Sequence, residues 1–216
     1  MVMSEVLVAP ARPSRSAVAI RITLNLVAAF GAALFARAGL EYYLRTHSLI
    51  GAAFLGEEMW IVVAYLVRRP ARVVSRRPVD WLLAFGGTFG GVLLRPEGAH
   101  PHWGVVAGFD SQMIGLVICV ASFFALGRSF GFAAADRGLV HRGPYSLIRH
   151  PIYSSYFFLQ IGYLLQSLSL RNALVVVFIC SCNIGRAVVE ERLLVSSSSY
   201  DEYRSRVRWR MLPGVW

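Results

Sequence analysis

The chain of 216 residues contains no lysine, so all 22 of its Lys+Arg positions are arginine. It is also poor in charge altogether. Charged residues make up 16% and hydrophobic ones 56%, with a mean hydropathy of +0.54, against roughly a quarter charged in an average soluble domain. These figures exclude a disordered, collagenous or ordinary soluble chain. Only three cysteines occur, Cys119, Cys180 and Cys182, all inside apolar stretches. An odd number of thiols so placed makes no disulfide framework, and Cys180-x-Cys182 lacks a second pair for zinc. No metal site is expected from them or from His47, His100 and His102. The first 16 residues lack the apolar core and small-residue cleavage site of a signal peptide, and read as a flexible tail, 1–16. What remains is the profile of an all-α, polytopic membrane protein.

Apolar runs near bilayer length fall at about 17–36, 48–67, 80–94, 103–127, 151–170 and 172–189, which predicts about six transmembrane helices. The last two are joined so closely that they form a helical hairpin. Arginines alternate between the gaps: five in 68–79, four in 128–150 and five after 189, against two, one and one in the others. By the positive-inside rule, both termini, the loop 128–150 and the tail face the cytoplasm. A net charge of +10 therefore reads as membrane orientation, with no nucleic-acid partner. Beyond the serine tract 196–199, Ser199-Tyr200-Asp201-Glu202 fits a capping box. Tyr200, Tyr203 and Val207 then share a face, which predicts a cytoplasmic amphipathic helix that lies on the membrane or lids a neighbouring site.

Two stretches carry candidate chemistry. In Gly143-Pro144-Tyr145-Ser146-Leu147-Ile148-Arg149-His150-Pro151-Ile152-Tyr153, Pro151 suits the first position of a helix. The exposed backbone donors of that helix, beside Arg149, suit an anion; an interfacial Arg and His with a tyrosine belt is the plainer alternative. In Arg186-Ala187-Val188-Val189-Glu190-Glu191, Arg186 and Glu190 share a helix face. A cationic and an anionic site on one membrane face suit a zwitterionic ligand.

The order Gly-Pro-Tyr, Arg-His-Pro-x-Tyr, hairpin, Arg-x-x-x-Glu-Glu, Tyr-x-x-Tyr and a late Pro resembles the isoprenylcysteine carboxyl methyltransferase and phospholipid methyltransferase superfamily, over about residues 126–213. The resemblance implies a C-terminal methyltransferase core, 128–216, behind N-terminal helices, 17–127, that shape substrate access. It implies S-adenosylmethionine as cofactor, lined by Leu139, Val140, Gly143, Pro144 and Tyr145, contacted by His150 and Tyr153, and held by Glu190 with Arg186. Arg149 and Glu191 are expected nearest the reacting methyl, with Arg206 as a substrate-orienting cation. Two positions depart from the family: Ser155 stands where glycine is usual, and the serine tract replaces Phe-Gly. No Gly-x-Gly-x-x-Gly loop follows any strand.

The acceptor stays open between a lipophilic carboxylate, amine or thiol. A carboxylate needs only an orienting cation, whereas an amine or thiol must lose a proton. Glu57, Glu58, Asp110 and Gln112 lie within apolar segments, as parts of a polar pocket or at an interface. Gly86-x-x-x-Gly90 and Gly87-x-x-x-Gly91 allow close helix packing. A nicotinamide-dependent membrane reductase, with a similar Arg-His-Pro-like helix, is the alternative enzyme; a transporter or scaffold is the non-enzymatic one.

Overall fold

The computed structural model describes residues 15–216 except 48, 71–72, 76, 97, 100, 130, 132–134, 137 and 196–197. The expected tail up to residue 14, His100, and the side chains of Arg21 and Glu57 lie outside the described residues. Seven α-helices follow in order: α1 (Arg15–Thr46), α2 (Leu49–Val67), α3 (Pro78–Phe89), α4 (His102–Leu126), α5 (Pro151–Gln166), α6 (Leu170–Leu194) and α7 (Ser198–Arg206). Helices α1 to α6 coincide with the six apolar runs. Among the described residues, α4 and α6 are long and apolar enough to cross a membrane by length and composition alone.

The boundaries differ from the expected ones for local reasons. Helix α1 runs ten residues past 36, where Arg37 pairs with Glu41 one turn on, at 3.0 Å. Helix α3 starts on Pro78 at its first turn and gives way to a tighter 3-10 turn at Gly90–Leu93. Helix α5 stops at Gln166, and α6 begins at Leu170 under a Ser169 cap that accepts from Asn172 N–H. An antiparallel ribbon, β1 (Val73–Val74) with β2 (Ala135–Asp136), joins the two arginine-rich gaps; its residues carry no alternating pattern long enough to announce it.

Glycine sets the helix spacing. Along the α4–α5 seam, a Cβ added at Gly108 would come within 2.5 Å of the Gly162 carbonyl oxygen, and one at Gly115 within 2.9 Å of the Ser155 carbonyl oxygen. Ser155 is fully buried there, so a residue larger than serine or glycine has no room. This seam meets backbone carbonyls, whereas the α3 stripe singled out from sequence meets side chains of α6. Of that stripe, Gly86 and Gly90 press on Cys182 and Ile179 of α6, whereas Gly91 faces open space. Cys119 and Cys182 are buried and all three thiols are free, which agrees with core packing.

The two ends of the bundle are closed differently. At one end, Asn172 accepts from Arg95 N–H (3.1 Å) and donates to the Arg95 and Ser167 carbonyls (both 2.8 Å). At the other end, Arg69 N–H donates to the Arg128 carbonyl (2.7 Å), and the C-terminal segment pairs with the chain ahead of α5. Outside, large apolar side chains face away from the protein on four helices, with Phe30 67%, Leu82 69%, Val117 68% and Val177 63% exposed. A surface this apolar marks a membrane or protein contact; on helices of this composition it fits lipid. Asp110 is exposed on α4, while Gln112 accepts from Gln166 of α5 at 2.9 Å, so neither contributes to an internal pocket.

A valine at Gly90 would force the buried Ile179 aside, because even a Cβ there lies 2.6 Å from Ile179 Cγ1. Overpacking of this kind costs about 1–3 kcal/mol, so Gly90→Val is expected to lower the thermal unfolding midpoint in detergent. Gly56→Ala, where nothing lies within 4 Å, should leave the midpoint unchanged or raise it.

Candidate active site

Four pieces of chain meet at one end of the bundle: the loop after α4, the start of α5, the end of α6 and the C-terminal segment. The loop enters through a 3-10 turn at Gly143–Ser146, where Gly143 has φ +59. That conformation disfavours any residue with a Cβ. The turn aims the buried Tyr145 inward and leaves Gly143 exposed. Arg149 N–H then donates to the Trp209 carbonyl (2.9 Å), and His150 N–H to that of Arg210 (2.7 Å). Ser154 Oγ adds a hydrogen bond to the Met211 carbonyl. The tail is thus stitched to the α5 N-terminus before Pro151 starts the helix.

Glu191 sits at the centre of this assembly, 5% exposed. Its Oε1 lies 2.9 Å from Arg149 Nη1 and 3.2 Å from His150 Nε2, and its Oε2 accepts from Arg210 Nε at 3.1 Å. Arg149 also donates to the Arg208 carbonyl at 3.1 Å. The Arg210 guanidinium stacks over Trp216, 4.7 Å from the ring centre. A buried carboxylate ringed by cations is tied into the structure.

Glu190, one residue earlier, faces a cavity instead. Its Oε1 accepts from Tyr153 O–H, and its Oε2 lies 3.7 Å from His150 Nδ1. Arg186, one turn before it on α6, lies over the Tyr153 ring at 5.0 Å and donates to Thr88 Oγ1 at 3.1 Å. The cavity holds about 980 Å³. Leu139, Val140, Tyr145, Arg149, His150, Tyr153, Arg186 and Glu190 line its polar end, with Tyr200 and Tyr203 of α7 above them. From there it runs between α1, α2 and α3 along Val27, Leu34, Ile61, Phe85 and Phe89. Glu58 lines it, which decides that residue in favour of a pocket.

Helix α7 covers the site, resolving the two possibilities left by its pattern. Tyr200, Tyr203 and Val207 form a buried cluster with Leu139 and Leu194, and Tyr203 O–H donates to the Tyr145 carbonyl at 2.7 Å. Arg206 departs from expectation. It is exposed on the far face of α7 and pairs with Glu202 one turn back at 3.0 Å, because the face carrying the tyrosines is the one that turns inward. Gly143 and Pro144 shape the turn without lining the cavity, and neither does Glu191.

The titrating groups here are strongly perturbed. Burial disfavours a charged His150, yet hydrogen bonds and charge from Glu190 and Glu191 outweigh it and raise its pKa. Burial, reinforced by Glu190, pushes Tyr145 well above the ordinary tyrosine range. Burial and the nearby Glu191 push Tyr200 up to about 12; burial raises Tyr203 as well. All three phenols remain hydrogen-bond donors at neutral pH.

Residues that sequence reasoning passed over also line the cavity. On α2, Ile61 and Tyr65 extend the stripe of Glu58 at i+3 and i+7, with Arg68 just past the helix end; on α5, Tyr156 and Gln160 extend that of Tyr153 in the same way. The spacing is visible in the sequence, but which helix face turns inward is not.

The cavity thus has a polar end, at the arginine-rich end of an apolar helix bundle, and an apolar arm between α1, α2 and α3. The phospholipid methyltransferase family model matches residues 103–200, so this stretch of the chain is similar to that family of integral membrane methyltransferases. No curated protein sequence matches this one.

Because its folded pKa is raised, His150 contributes stability that is complete below the unfolded value of about 6.5 and is lost as pH rises through the folded value. The stability difference between wild type and His150→Asn should therefore shrink between pH 6 and pH 9, read as unfolding midpoints in detergent. Glu191→Gln leaves Arg149, His150 and Arg210 without their shared anion, and breaking a buried pair costs about 3–5 kcal/mol. That variant should unfold at a markedly lower temperature than Glu190→Gln, compared by thermal scans.

Proposed function

We propose that this chain is a six-span membrane methyltransferase that moves a methyl group from S-adenosylmethionine to a lipophilic acceptor, with both termini and the site on the cytoplasmic side. The observation that carries the reading is the single cavity, polar at the Glu190–His150–Tyr153 end and apolar between α1, α2 and α3.

The residues fit the cofactor's chemistry. Glu190 presents a carboxylate for an amino or hydroxyl group at the polar end of the cavity. Tyr145, Tyr153, Leu139 and Val140 supply aromatic and apolar walls, with Gly143 and Pro144 setting the turn that places them. When bound, S-adenosylmethionine supplies an activated methyl: the sulfonium C–S bond breaks, its electron pair stays on sulfur, and an acceptor lone pair forms the new bond. The protein's part is then positioning and water exclusion. Helix α7 closes the polar end through Tyr200 and Tyr203. Arg186, held between Tyr153 and Thr88, stands where the polar end meets the apolar arm and orients the acceptor. Glu191 acts as a positioning residue, fixing Arg149 and His150 from behind.

Calorimetric titration of the detergent-purified protein with S-adenosylhomocysteine should give micromolar binding. Removing a hydrogen bond to a charged group costs about 1.5–3 kcal/mol, so Glu190→Gln should weaken that binding by roughly 10- to 100-fold. Binding of NADPH in place of S-adenosylhomocysteine would overturn the proposal in favour of a reductase. Binding of neither would leave a transporter or scaffold.

A further inference from the structure

Arg68 follows directly on α2 and lines two cavities at once. One is the large cavity; the other is a groove of about 600 Å³ beside Asn25, Pro70 and Arg128. Its guanidinium is fixed on two sides, by Nε donating to Asn25 Oδ1 at 2.7 Å and by the Tyr65 ring 5.0 Å beneath it. No described carboxylate forms an ion pair with it. In the same cavity, Arg149 has Glu191 at 2.9 Å. A half-buried cation held in place without an anion is a group prepared for one, since a desolvated guanidinium is costly unless paired.

We infer that Arg68 binds the anionic group of the methyl acceptor, a phosphate or carboxylate attached to an apolar chain. The inference rests on the methyl-transfer reading of the same cavity. The register of α2 explains why the anion belongs at Arg68 rather than deeper. Glu58 lies ten residues before it on the same stripe, about 15 Å along the helix at 1.5 Å per residue, and repels a second anion in the arm. An acceptor anchored at Arg68 lays its apolar chain along Tyr65 and Ile61, towards the gap between α1 and α3. Its reacting group is then left at the polar end, across the cavity.

The test titrates three twelve-carbon probes into the protein in a neutral maltoside detergent: dodecyl phosphate, dodecanoate and dodecanol. Wild type should bind an anionic probe in preference to dodecanol, and the tighter of the two anions identifies the headgroup. Charge-assisted bonds are about twice as strong as neutral ones, so Arg68→Gln should weaken anion binding at least about 10-fold while leaving dodecanol unchanged. Arg68→Lys, which keeps the charge and serves if the glutamine variant folds poorly, should lie between them. Arg77→Gln, an exposed arginine of the same gap outside both cavities, should bind as wild type. S-adenosylhomocysteine affinity, measured on each variant, should not change.

Equal anion binding by wild type and Arg68→Gln would overturn the inference. So would an equal loss in Arg77→Gln, which would mean surface charge alone, or no preference for anions in wild type. Arg68-dependent anion binding in a protein that takes no S-adenosylhomocysteine would sustain the anion site and remove the methyl-transfer reading.

Discussion

One buried carboxylate organises the working end of this protein. Glu191 engages Arg149, His150 and Arg210, which come from the loop before α5, the cap of α5 and the C-terminal segment. Taking an anion out of water costs several kcal/mol, repaid only by close, well-directed partners. Two guanidiniums and an imidazole at 2.9–3.2 Å meet that condition. The consequence is geometric: with Glu191 turned away from the cavity to hold the frame, its neighbour Glu190 is turned towards it, because adjacent helical residues point about 100° apart.

The same division of labour runs through the other adjacent pairs. Arg149 stiffens the frame through Glu191 and the Arg208 carbonyl while also lining the cavity. His150 shares its two ring nitrogens between the two glutamates. A site assembled in this way depends on the tail. The backbone bonds from Arg149 and His150 to Trp209 and Arg210 hold the last residues of the chain as one wall of the assembly. Around it, glycines at α4–α5 and α3–α6 bring helices close on one side of the bundle, whereas the side between α1, α2 and α3 stays open enough to hold the apolar arm.

Sequence and structure agree most where a single physical quantity decides. Mean hydropathy and the length of apolar runs located six helices, though α1 runs ten residues beyond its expected end, and the spacing of Tyr200, Tyr203 and Val207 marked one apolar face on α7. The motif order singled out Tyr145, His150, Tyr153, Arg186 and Glu190, and all five line one cavity. Arg206 went the other way for a plain reason: its charge suggested a ligand, but its helix phase puts it opposite the tyrosines, and only the docking of α7 fixes which face is in.

By itself, then, the sequence determined the helical class of the fold and the approximate position of the helices, since composition and the length of apolar runs suffice for both. Tertiary structure decided everything that depends on two helices at once. It separated Glu190 from Glu191, brought Glu58 into a cavity while leaving Asp110 outside, and set Arg68 on Tyr65 and Asn25 between two cavities. Those outcomes turn on helix rotation and on the distance between helices. Both are fixed by buried glycines and ion pairs that lie far apart along the chain, and no local pattern encodes them.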